Sequence, residues 1–154
     1  MIKQSAIKLI IKNKKAYFHY EILETCEAGL VLLGSEIKSI RNGKASIQEG
    51  YARPYQDEFY VYNMDISPYK YAGIQNHEPK RPRKLLLRKR EIKRLLGKTQ
   101  EKGLTLVPLK LYLKNGFAKL ELGLARGKKT HDKRDALKRK ETQREIARVL
   151  KSRR

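Results

Sequence analysis

Residues 103–124 read GLTLVPLKLYLKNGFAKLELGL. Leu109, Leu111 and Leu113 recur at every second position, as do Ala118, Leu120, Leu122 and Leu124. A period of two puts such residues on one face of a strand. Between the two runs stands Asn115-Gly116, the strongest short-range signal for a tight turn between antiparallel strands. The stretch predicts a β-hairpin with one buried face, and that hairpin sets the class of the fold.

Outward from it, the same pattern returns. Tyr51–Tyr55 and Phe59–Asn63 are broken at Asp57 and predict a second hairpin. Tyr17 to Leu33 is rich in Tyr, Ile, Leu and Val and reads as two strands meeting at Glu27-Ala28-Gly29, where Gly29 offers a turn. Gly34 opens a short helix, with Ser35 as its expected N-cap and Glu36 in the first turn, where a negative charge suits the helix dipole. Ile37 and Ile40 share its core face, Lys38 and Arg41 another, and Asn42-Gly43 ends it. Residues 68–82 hold three prolines, Gly73 and His77, and read as an irregular crossover. Ile92, Leu95 and Leu96 predict an amphipathic helix ending at Gly97. Lys3 to Lys15 is basic, with a short apolar run at Leu9-Ile10-Ile11 and a beginning expected to be loose. The expected fold is mainly β: an OB-like closed antiparallel barrel over residues 1–126, with two to three added helices. A sheet with packed helices has a similar pattern.

Charge points to the partner. The 154 residues carry 37 Lys plus Arg against 16 Asp plus Glu, a net of +21. Solubility asks for a net charge of only about 2–8. An excess this large repels itself unless a polyanion neutralises it, and nucleic acid is the commonest. Residues 127–154 form a basic tail. From Arg126 onward the chain holds +9, and the 125 residues before it +12. No apolar residue lies between Leu137 and Ile146, so no continuous stripe packs on a core. Asp135–Arg139, Glu141–Arg144 and Glu145–Arg148 stand at helical pair spacing, and each pair contributes only about 0.2–0.5 kcal/mol. The tail is expected to be disordered when free and helical on an anionic surface.

Cys26 is the single cysteine, so no intrachain disulfide forms, as suits a reducing cytoplasm. No apolar run approaches the roughly 18–20 residues of a membrane span, and the start has no secretory pattern. His19, His77 and His131 lie far apart and the acids are scattered. Neither a paired acid and base nor a set of metal ligands stands out. No cofactor, metal, membrane or small-molecule substrate is expected.

Several blocks then carry a resemblance. Glu27-Ala28-Gly29 is followed by Glu36-Ile37-Lys38-Ser39-Ile40-Arg41-Asn42-Gly43-Lys44-Ala45. Next come Arg83-Lys84-Leu85-Leu86-Leu87, Glu91-Ile92, and Gly103-Leu104-Thr105-Leu106-Val107-Pro108. Gly127-Lys128-Lys129 and Asp132-Lys133-Arg134 close the series. Their order and spacing, from about Asn13 to Arg134, resemble the small protein B family, the SsrA-binding proteins of bacteria. The resemblance implies an oligonucleotide-binding barrel with added helices. It also implies a non-enzymatic adaptor that carries transfer-messenger RNA to stalled ribosomes. In this family the body stands in for a missing anticodon stem, and the tail probes the empty message channel. A monomeric cytoplasmic protein is expected.

By the same resemblance, RNA contacts are expected at Asn13, Lys14, Glu27, Lys38, Ser39, Arg41, Asn42, Gly43, Lys44, Arg83, Lys84, Leu86 and Lys119. Contacts with the small subunit's ribosomal RNA, at its decoding centre and message channel, are expected at Gly127, Lys128, Lys129, His131, Asp132, Lys133 and Arg134. Leu86 lies among cations, where an exposed apolar side chain packs on an unstacked nucleotide; Leu85 and Leu87 compete for that role or for the core. His131 suits stacking on a base, and Asp132 suits a cap of the tail helix. One departure is plain: Tyr17-Phe18-His19-Tyr20 puts Phe18 where the family often has a histidine. Two other readings compete, a nuclease or RNA-modifying enzyme and a general RNA-packaging protein. Charge alone does not separate the second from the adaptor.

Overall fold

The turn at Asn115-Gly116 forms as its sequence requires. Asn115 (φ 52°) and Gly116 (φ 83°) both lie in the left-handed region, the combination of a type I′ turn. It joins β8 (Leu104–Lys114) to β9 (Phe117–Gly127). Gln56 and Asp57, with φ of 48° and 62°, do the same for β4 (Tyr51–Tyr55) and β5 (Glu58–Tyr62). These elements belong to a computed structural model that describes residues 6–101, 103–128 and 130–152.

The other strands are β1 (Ile7–Lys12), β2 (Tyr20–Leu30), β3 (Ala45–Ser46), β6 (Asp65–Ile66) and β7 (Arg83–Leu86). The helices are α1 (Lys14–His19), α2 (Gly34–Arg41), α3 (Lys89–Thr99) and α4 (Thr130–Ser152). The long strands pair antiparallel in the order β8-β4-β5-β7-β2-β9, and β9 returns to β8. The sheet is thus a ring of strands, the arrangement an OB-like barrel needs. β1 extends along the outer half of β8, and β3 and β6 form a separate pair.

Inside the ring lie Phe59, Leu85, Leu106, Leu111 and Leu120, all fully buried, and α3 adds Ile92 and Leu95. Leu109 is not among them. The β8–β9 register shifts between Pro108 and Lys110, and such a bulge reverses which face alternate residues take. Leu109 therefore joins Val107, Ala125 and Ala16 in a second cluster beneath α1. The simple alternation Leu109-Leu111-Leu113 held no sign of that reversal.

Four local expectations are corrected. Residues 20–30 form one strand, not two. Gly29 is there for close approach: a Cβ on it would stand 3.2 Å from the Leu86 Cβ. Leu33 rather than Ser35 is the N-cap of α2. Ser35 Oγ instead hydrogen-bonds Nδ1 of buried His77 at 2.9 Å. Finally, α3 passes Gly97 and ends at Thr99, whose hydroxyl donates to the Leu95 carbonyl at 2.8 Å. The beginning expected to be loose lies partly outside the described residues, but Ile7–Lys12 is a strand.

The tail forms a helix, α4, whose residues 138–149 are exposed all round. Such a helix gains little from packing. Its root is fastened to the body. Gly127 pairs with Tyr20, and the Lys128 N–H donates to the His19 carbonyl at 2.9 Å.

Candidate nucleic-acid interface

The outer face of β2, β7, β8 and β9 gathers residues that are far apart in sequence. Gly29 stands opposite Leu86 on one side and Lys119 on the other; Lys119 in turn stands opposite Tyr112. Glu27, two residues before Gly29, shares this face. The Tyr112 hydroxyl donates to one Glu27 oxygen, and Lys114 Nζ lies 3.5 Å from the other. The Tyr112 hydrogen bond, with Lys114 and Lys119 nearby, holds the Glu27 carboxyl below the usual carboxylate range despite a small opposing cost of burial. Burial and the same hydrogen bond push the Tyr112 phenol up. Glu27 is thus an ionised acceptor held in place, with Leu86 53% exposed beside Gly29. This face combines a carboxylate, cations and a bare leucine, which suits a folded RNA that offers phosphates, hydroxyls and an unstacked base.

A second group sits at the end of α2. Lys38, Arg41, Asn42, Gly43 and Lys44 are all exposed. Gly43 has φ of 71°, where a side chain is strained. Lys38 Nζ lies 5.5 Å from the centre of the Tyr69 ring. Lys14 is exposed as well, and Lys84 is half-buried near Glu58, 3.8 Å away.

Three expected contacts turn out to be internal. Asn13 is 1% exposed. Its Nδ2 donates to the carbonyls of Ile47 and Pro108, and its Oδ1 accepts from the Ala16 N–H, capping α1. Ser39 is buried, and its hydroxyl donates to the Ser67 carbonyl at 2.7 Å. Arg83 is fully buried: it pairs with Glu36 at 2.5 Å and donates to the carbonyls of Met64 and Pro79. With their polar atoms spent inside the protein, these side chains offer RNA nothing.

Glu36 is the centre of that internal network. It also accepts from Arg81 (2.5 Å) and from the Leu33 N–H (2.8 Å). Burial alone would raise its pKa; hydrogen bonds from Arg81, Leu33 and Arg83 outweigh that and hold it below the usual range. The network ties α2 to the crossover loop and to β7, and so sets the α2 cations relative to Leu86.

At the root of the tail, Lys128 Nζ donates to the Tyr17 carbonyl at 3.0 Å. Lys129 lies outside the described residues. His131, Asp132, Lys133 and Arg134 fall in the first turns of α4. Because α4 begins at Thr130, Asp132 sits inside the first turn and not at the cap. Phe18 and His19 meet edge to face at 5.1 Å. Among the described residues, no three of His, Cys, Asp and Glu converge as a metal site requires, and no helix is long and apolar enough to cross a membrane.

Residues 10–152 match the family model described as SmpB protein. The chain belongs to the SmpB family. It is 56% identical to an SsrA-binding protein of Carboxydothermus hydrogenoformans over 146 residues, 95% of this chain and 98% of that one. An SsrA-binding protein of Gloeobacter violaceus is 52% identical over 151 residues, covering 98% of this chain and 99% of that one. A chain in a solved structure described as "tmRNA-SmpB: a journey to the center of the bacterial ribosome" superposes with a TM-score of 0.68. It is 50% identical and covers 82% of this chain and 93% of that one. The SmpB match extends through the tail, beyond the Arg134 limit of the motif series. Tyr112 and Lys114 escaped the sequence reading, although the β8 alternation already put them on the outward face.

Proposed function

We propose that this protein binds transfer-messenger RNA and delivers it to stalled ribosomes for rescue by trans-translation. The observation that carries the proposal is the outward constellation of Glu27, Tyr112, Lys119 and Leu86 in a chain of the SmpB family. Lys38, Arg41 and Lys44 add phosphate contacts, which lower affinity steeply as salt rises. The body takes the place of an anticodon stem. The tail, from Gly127 through Arg134, enters the empty message channel, where ribosomal RNA supplies the packing that α4 lacks on the body. The protein works as a cytoplasmic adaptor without catalysis, since RNA recognition here needs shape, charge and stacking only.

The test is capture of RNA from a bacterial lysate on the intact protein, followed by sequencing. One dominant species with a tRNA-like end is expected. A broad mixture of RNAs would instead favour general packaging. Incubating the captured RNA with the protein and divalent cations should leave it uncut; specific cleavage would sink the adaptor reading.

A further inference from the structure

The β4–β5 hairpin has an outward face unlike the rest of the ring. Ala52, Phe59 and Val61 are buried inward. Tyr51, Arg53 and Tyr55 therefore point out with their partners Tyr62, Tyr60 and Glu58. Tyr51 and Tyr62 stack at 5.5 Å with 16° between their planes. The Arg53 guanidinium lies 5.1 Å from the centre of the Tyr51 ring. Tyr55 and Tyr60 meet edge to face at 5.9 Å and 79°, a contact that leaves other ring faces free. Tyr55 is 56% exposed.

At the Tyr51 end this row opens into a cleft of about 650 Å3. Lys15, His19, Arg53 and Lys128 line it, and Glu49, its one lining carboxylate, already pairs with Lys15 at 2.6 Å. The cleft therefore keeps a cationic excess. In the ring order, β4 lies across from β2, and β5 across from β9. The row is thus on the far side of the barrel from Glu27 and Lys119.

The outer face of an antiparallel sheet is ordinarily polar. Four tyrosines in a row with a stacked arginine form the pattern that receives unpaired nucleotides. Bases stack on the rings, cations hold the backbone, and no particular sequence is required. A duplex keeps its base faces to itself and has no use for rings.

We propose that the outward face of β4–β5, with the cleft beside it, binds an unpaired stretch of RNA. It is a site separate from the Glu27–Lys119 face. Tyr55 and the Tyr51–Tyr62 pair stack on bases and Arg53 takes a phosphate, so the strand runs toward the cleft beside Tyr51. The inference rests on the reading of this protein as an RNA-binding adaptor.

The experiment measures two probes on the intact protein: a labelled oligouridylate of about twelve nucleotides and folded transfer-messenger RNA. Tyr55→Ala and Arg53→Ala should each weaken oligouridylate binding by about tenfold. Binding of transfer-messenger RNA should change by less than about twofold. Tyr55→Phe keeps the ring and should bind as the parent does. Lys119→Ala should show the converse pattern. Unchanged oligouridylate binding in folded Tyr55→Ala and Arg53→Ala would overturn the site, as would equal losses for both probes. Failure of Lys119→Ala to weaken transfer-messenger RNA binding would strike the proposed function instead. Photocrosslinking of a thiouridine oligonucleotide to the unmutated protein needs no variant. Crosslinks within residues 51–62 are expected, and crosslinks confined to other segments would overturn the site.

Discussion

Glu27 and Glu36 are both single carboxylates among cations, yet they do opposite things. Glu36 is fully buried and accepts from Arg81, Arg83 and the Leu33 N–H. Glu27 is exposed and accepts from Tyr112 and Lys114, with Lys119 close by. Depth makes the difference. A buried ion pair must satisfy nearly every donor and acceptor from within, and losing one partner strands a charge away from water. An exposed pair adds little to stability because water screens it. The inner carboxylate is therefore an anchor, and the outer one stays within reach of solvent, where the proposed interface would use it.

The largest effect that tests this contrast is on stability. Glu36→Ala should cost about 3–5 kcal/mol in urea unfolding, since it leaves Arg83 buried without its partner. A loss under about 1 kcal/mol would erase the distinction between the two sites. Charge reversal on the outer face should do the reverse. Lys119→Glu is expected to lower transfer-messenger RNA affinity by at least about tenfold, with stability within about 0.5 kcal/mol of the parent. Lys38→Glu should act in the same direction. Normal binding at physiological salt would remove either residue from the interface.

Acid provides a subtler test. The folded-state pKa of Glu36 lies below its ordinary value of 4.5. Its contribution to stability is therefore fully present above about pH 4.5 and is lost as pH falls through the depressed folded value. Urea unfolding across that range should show less pH dependence for Glu36→Gln than for the parent, whereas Glu27→Gln, which removes a carboxyl also held low but in an exposed and screened pair, should depart from the parent much less. Identical slopes for all three would contradict the anchor. Smaller still is the effect of the tail on affinity. Deleting the residues after Gly127 should leave RNA binding within about threefold while abolishing ribosome rescue. Loss of most affinity would show that the tail, not the face around Glu27, holds the RNA. The least change is expected at Cys26, one position before Glu27. Burial first, then neighbouring Glu91, pushes its thiol up to about 11, so thiol reagents at neutral pH should modify it slowly.

Much of the candidate interface was legible one residue at a time. Lys38 and Arg41 were separable from Ile37 and Ile40 by helical spacing, and Lys119 from Leu120 by strand alternation. Leu86 could not be chosen over Leu85 from sequence; the ring decided it by burying Leu85 completely. Arg83 and Lys84 looked alike as neighbours in a basic run. Only the fold turned Arg83 inward to meet Glu36, from which it is separated by 47 positions.

The sequence by itself determined both hairpins, because an Asn-Gly turn and a two-residue period act between neighbours. It also determined the need for a polyanionic partner, because net charge is independent of conformation. Only the tertiary structure decided how the strands close into a ring, why Gly29 has little room for a side chain, and where the bulge sends Leu109. It also decided which carboxylate is an anchor. Those outcomes depend on what stands across the sheet or inside the ring, and such contacts are made between segments too distant in the chain for any local pattern to record.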